Sequence, residues 1–141
     1  MLGSGSAGAT PSVPLLPPMP QVERPARTST CYALTGLDDR GRIGDTTALR
    51  ALAWPPGTPV GFVMLPGVDA VLVRPGGRSR ITADGRLRLP VPVRRLLNLQ
   101  ARDRVLLAAD PQRQLLVVCT MAALDAMTTA TLASALRAVA S

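Results

Sequence analysis

Six arginines fall within one stretch of eighteen residues: Arg78, Arg80, Arg86, Arg88, Arg94 and Arg95. A guanidinium is a planar fork of donors that keeps its charge. It matches the paired oxygens of a phosphate or the edge of a guanine. A run of one sign is the footprint expected for phosphate binding. The competing reading is a solvated face, or arginine stems laid over apolar surface. All 16 basic residues of the 141-residue chain are arginine, a bias that a GC-rich genome also produces.

Little else in the sequence does chemistry. The absence of histidine removes Ser-His-Asp triads, histidine metal sites and histidine pH switches. Cys31 and Cys119 are too few for a four-ligand zinc site or a disulfide framework. They are read as ordinary thiols, although one bridge is compatible with the count. Asp38, Asp39 and Asp45 make a carboxylate cluster with no base, nucleophile or metal partner beside it, and are read as a solvated loop. Asp84 and Asp110 are turn formers. No catalytic residue, metal site or cofactor is therefore expected, and the chain is not read as an enzyme. No apolar run reaches the roughly 18 residues of a membrane span. Residues 1–30 lack the basic-then-apolar order of a secretory signal. A cytoplasmic, nucleoid-associated protein is the expectation.

The elements that must carry the arginines show an internal repeat. Gly41-Arg42-Ile43 matches Gly85-Arg86-Leu87 at a spacing of 44, and Leu52-Ala53-Trp54 matches Leu97-Asn98-Leu99 at a spacing of 45. Val60 matches Val105, and Val71-Leu72-Val73 matches Leu116-Val117-Val118. Each copy reads as a hairpin, a short helix and a second hairpin. In the second copy a loop of Ala83-Asp84-Gly85 sets Thr82 opposite Arg86, with Gly85 taking the left-handed position. Arg80, Arg86 and Arg88 then share one face, and Ile81, Leu87 and Leu89 the other. Pro90 to Leu97 is expected to be a helix with Val93, Leu96 and Leu97 inward, stopped by a left-handed Asn98. In the first copy Leu37 should face Ile43, Asp38 should meet Arg42 and Gly36 should meet Gly44. Thr46 or Thr47 should cap a helix bearing Leu49 and Leu52, and Trp54 should enter the core. The expected organisation is a disordered Pro/Gly/Ser-rich tail (1–30), in which Val13, Leu15, Leu16 and Met19 suit an extended ligand, a neutral repeat (31–74), a basic repeat (78–121) and a C-terminal helix (122–141). That helix is expected to dock on its own chain's body rather than on a partner.

The stretch "ADGRLRLPVPVRRLLNLQARDRVLL" resembles the AbrB/MazE/SpoVT swapped-hairpin DNA-binding family. Gly85-Arg86-Leu87-Arg88-Leu89-Pro90, Val93-Arg94 and Leu97-Asn98-Leu99 carry the likeness, while Arg102-Asp103 stands where the family has Gly-Asp. The first copy keeps Gly41-Arg42-Ile43, Leu52-Ala53-Trp54 and Pro56-Gly57 but lacks the helix-starting proline and the Asp after Gly57. The resemblance implies a mainly β fold: a swapped-hairpin barrel built from two repeats, each with a short helix. A unit of some 40 residues buries too little surface to stand alone, so interlocked copies make physical sense.

The charge is uneven. Residues 32–74 hold four Arg and four Asp, whereas residues 78–121 hold nine Arg and three Asp. The expected function is therefore double-stranded DNA binding by Arg78, Arg80, Arg86 and Arg88, backed by Arg94 and Arg95, in a transcriptional regulator. Arg42, in the neutral copy, is expected to matter little. A homodimer would supply two basic hairpins. The alternatives are an antitoxin wrapping a toxin partner, or an interaction adaptor that has lost DNA.

Overall fold

The structure, a computed structural model, describes residues 29–140. The expected tail, with its extended-ligand segment, lies outside the described residues up to position 28. The elements are β1 (Cys31–Gly36), α1 (Thr47–Leu52), β2 (Pro59–Met64), β3 (Ala70–Pro75), β4 (Ser79–Arg80), α2 (Val91–Leu96), β5 (Arg104–Asp110), β6 (Leu115–Thr120) and α3 (Met121–Ala140). The fold is mainly β. One six-stranded antiparallel sheet runs in the order β1-β5-β6-β3-β2-β4. This sheet is open, with β1 and β4 at its edges. The expected barrel does not appear as a continuous ladder, because β1 and β4 do not pair with each other.

Each half of the chain sends its first strand to the other half. β1 pairs with β5, matching Gly36 to Arg104, and β4 pairs with β2, matching Arg80 to Pro59. The long hairpins β2-β3 and β5-β6 meet at the centre, where Val73 opposes Leu116. Backbone hydrogen bonds follow the same exchange. Leu37 N donates to Asp103 O (2.9 Å) and Arg102 N to Leu37 O (2.9 Å). Forty-four to forty-five residues away, Ile81 N donates to Thr58 O (3.0 Å) and Gly57 N to Ile81 O (2.8 Å). Left-handed residues recur at those spacings: Gly41 and Gly85 (φ 77° and 80°), Ala53 and Asn98 (58° and 53°), Gly57 and Arg102 (87° and 72°). For Ala53 and Arg102 this conformation costs about 1–2 kcal/mol each.

The short hairpins form as their spacing predicts. Thr82 N donates to Arg86 O (2.9 Å) and Asp38 N to Arg42 O (2.9 Å), while Gly44 N donates to Gly36 O (3.0 Å). Their returning segments then pair with each other, through Ile43 N to Leu87 O (2.8 Å) and Leu89 N to Gly41 O (2.9 Å). Ile43, Leu87 and Leu89 are buried there with Leu37, Leu52, Trp54, Val60, Ile81, Leu107 and Leu116. Both halves thus close one aliphatic core. Trp54 enters it as expected and ties the halves together, donating from Nε1 to Gln114 Oε1 (2.8 Å).

Three local expectations are corrected. Thr46 stands at the N-cap position of α1, but neither its side chain nor that of Thr47 caps the helix. The carboxylate of Asp45 does so, accepting from Ala48 N (3.1 Å) and from the Thr47 hydroxyl; a carboxylate suits the orphan N–H groups and dipole of a helix start. Leu96 does not join the inward stripe of α2. Val93 and Leu97 fill it, and Leu96 is 67% exposed, because a helix this short turns only an i, i+4 pair to the core. Finally, α3 does not dock along its own body. Ala123 is its only buried residue, and Leu132, Leu136 and Val139 lie exposed. The helix leaves the sheet after its first turn, where Thr120 Oγ1 accepts from Ala123 N (3.1 Å).

Candidate nucleic-acid interface

The paired returning segments set Arg42 directly opposite Arg88 on antiparallel backbone. Like charges facing across strands are destabilising, so each needs a partner. The Nε of Arg42 donates to Asp38 Oδ2 (2.6 Å). That of Arg88 donates to the carbonyl of Arg40 (3.0 Å). The second hairpin supplies Asp84, whose Oδ2 lies 3.3 Å from Arg86 Nε and 3.8 Å from Arg42 Nη1. Arg42, Arg86 and Arg88 therefore form one cluster built from both halves. The structure thus places Arg42, expected to matter little, beside Arg86 and Arg88.

Two carboxylates hold this cluster in place. Asp38 accepts from the backbone N–H of Arg42 (2.8 Å), from its guanidinium and from the N–H of Arg40 (2.9 Å). Those bonds, the Arg42 backbone N–H foremost, lower its pKa to about 2. The Asp84 carboxyl is also held below its usual range, chiefly by the Thr82 hydroxyl that donates to it and further by the charges of Arg86 and Arg42. Both stay ionised at neutral pH and fix the guanidinium groups rather than cancel them all.

The other arginines separate into two kinds. Arg80 is exposed, donates from Nη1 to Gly57 O (3.1 Å), and lines an open groove with Ser79, Thr82, Arg88 and Pro90. Arg78 and Arg95 are exposed, and their side chains make no hydrogen bond or ion pair with the described residues. Arg94 is different. Its Nε donates to Leu89 O (3.0 Å), and its guanidinium packs where a Cβ on Gly41 would stand. The half-buried Arg94 locks α2 to the first hairpin, so it supports the surface from behind.

Sequence reasoning missed three contributors. Arg40 and Arg102 line a second groove with Asp38, Asp39 and Arg42. The one available signal was the match in sequence between Gly41-Arg42-Ile43 and Gly85-Arg86-Leu87. Net charge per segment concealed it, since Asp38 and Asp39 offset Arg40 and Arg42 on paper while the fold leaves the arginines beside the second hairpin.

Among the described residues no group of three potential ligands lies together. Asp110 binds its own turn, with the Arg113 guanidinium 2.7 Å away holding its carboxyl below the usual range. Cys31 and Cys119 are free thiols, and burial pushes Cys119 upward. No described helix is long and apolar enough to cross a membrane. No family model, curated protein or solved structure matches the chain.

Proposed function

We propose that this protein binds double-stranded DNA through a surface on which the two short hairpins converge, in the manner of the AbrB/MazE/SpoVT family it resembles, and that it acts as a transcriptional regulator. The observation carrying this reading is the opposition of Arg42 and Arg88. A fold spends stability to hold two like charges face to face, and a bridging phosphate oxygen relieves it. Arg80 and Arg86 extend the surface along the second hairpin, and Arg78 and Arg95 flank it.

The same reading takes the two halves as diverged copies interlocked as a swapped-hairpin barrel. Exchanged strands, paired loop hydrogen bonds and left-handed residues recurring at 44–45 positions support it. The major groove admits a two-stranded ribbon. Most of these arginines would clamp phosphates and set register, leaving one or two to read guanine edges.

Fluorescence anisotropy with a labelled random duplex tests the reading. Binding at low salt that is lost in the Arg86→Ala/Arg88→Ala variant supports it. Equal binding by wild type and variant overturns it.

A further inference from the structure

An antiparallel sheet with one face in water normally alternates apolar-in and polar-out. This one does not. On the face away from the core, register aligns Tyr32, Ala108, Val117, Leu72 and Val63 in one row across five strands. The neighbouring row is Leu34, Leu106, Cys119 and Ala70. Neither row contains a charge. The first turn of α3 covers part of the second row, burying Ala123 against Ala70 and Cys119. Tyr32 remains 65% exposed and Leu34 48%. Beyond Ala123, α3 continues for 17 residues, about 25 Å, with Leu132, Leu136 and Val139 uncovered.

We infer that two copies of this chain form a twofold dimer in which the α3 of each lies across the uncovered sheet rows of the other. The chain carries both halves of the contact. A helix about 10 Å wide and 25 Å long spans the five strands of the first row, which at about 4.8 Å per strand cover roughly 20 Å. The exchange is isologous and closes after two copies, leaving no apolar row to recruit a third. The area is also adequate. Tyr32, Leu34, Met127, Leu132, Leu136 and Val139 would bury about 60–120 Å² apiece, or about 400–700 Å² per protomer. A standard interface buries about 800 Å² per partner, of which about 500 Å² is apolar. The arginine cluster uses neither α3 nor these rows, so both basic surfaces stay open in the dimer. The inference is independent of the DNA reading, and its test contains no DNA.

Sedimentation of the full chain at tens of micromolar gives the mass directly. The expected result is twice the 14.7 kDa of one chain. Leu132→Asp/Leu136→Asp on the helix and, separately, Tyr32→Asp on the sheet should each halve it. Tyr32 is an exposed residue of an edge strand, so its substitution leaves folding intact. Hydrogen exchange provides the check: in Tyr32→Asp, α3 should lose its protection while β5 and β6 keep theirs. A wild-type monomer overturns the inference, whether residues 1–28 or another protein covers the rows. So does a dimer that the helix variant breaks and Tyr32→Asp does not, since that result means helix–helix pairing.

Discussion

Arg42 and Arg88 belong to different halves of the chain, yet they face each other across antiparallel backbone at the point where the two short hairpins meet. Asp38 and the carbonyl of Arg40 hold them without neutralising both. An anion that bridges the pair binds only the folded state and stabilises it by mass action. Inorganic phosphate should therefore raise the melting temperature of the wild type by more than that of Arg42→Ala. Calorimetry checks this, since general salting effects act on both chains alike. Equal increments would mean that the pair is not an anion site.

Substitutions within the cluster should separate binding from folding. Arg42→Ala should weaken DNA binding about 5- to 10-fold and lower the magnitude of the salt slope by about one, as expected for one lost phosphate contact. Arg113→Ala is the control, because Arg113 serves only the Asp110 turn. Anisotropy titrations at several salt concentrations measure both quantities. A neutral Arg42→Ala would restrict the interface to the second hairpin.

Much of this was legible in the sequence, and the reasons are local. Gly85 and Asn98 marked left-handed positions because few residues tolerate them. The opposition of Thr82 and Arg86 followed from loop length, and the inward set of Leu37, Ile43, Ile81 and Leu87 from strand alternation. Partnerships between halves were not legible. That β1 joins β5, and that Arg42 lies beside Asp84, depends on tertiary exchange. Spacing records no such exchange. Arg94 looked like another surface charge, since nothing in α2 announces that Gly41 leaves room for its guanidinium. The departure of α3 from the body was hidden for a related reason: an apolar stripe shows that a helix needs a cover, and not which chain provides it.

Asp38 links the cluster to acid stability. Its carboxyl is held at about 2, below the ordinary value of 3.8. The folded state thus favours the ionised form. Its stabilising contribution is complete above about pH 5, fades as pH falls through 3.8 and then 2, and vanishes only well below 2, where both states are protonated. Asp38→Asn should be less stable than wild type at pH 7, with the gap narrowing as pH falls through 2. Denaturant unfolding across that range reads the difference. A gap independent of pH would assign the loss to shape and not to charge.

The joint between the hairpins should dominate folding stability. Ile43 is fully buried and Leu87 nearly so, and they sit where the two returning segments bond. Ile43→Ala should cost about 2–5 kcal/mol. Urea unfolding followed by the fluorescence of Trp54, the single tryptophan, provides the measurement. One transition is expected, because Trp54 and Gln114 couple the halves. Two separate transitions would show that the halves fold independently.

The salt dependence of duplex binding tests the central claim most directly. If the converged hairpins neutralise about four to six phosphates, log K should fall with log salt at a slope of about −4 to −5. That is the result expected for the wild type on random duplex. A slope near zero would contradict the account, because binding would then proceed without releasing the counterions that an arginine surface must displace.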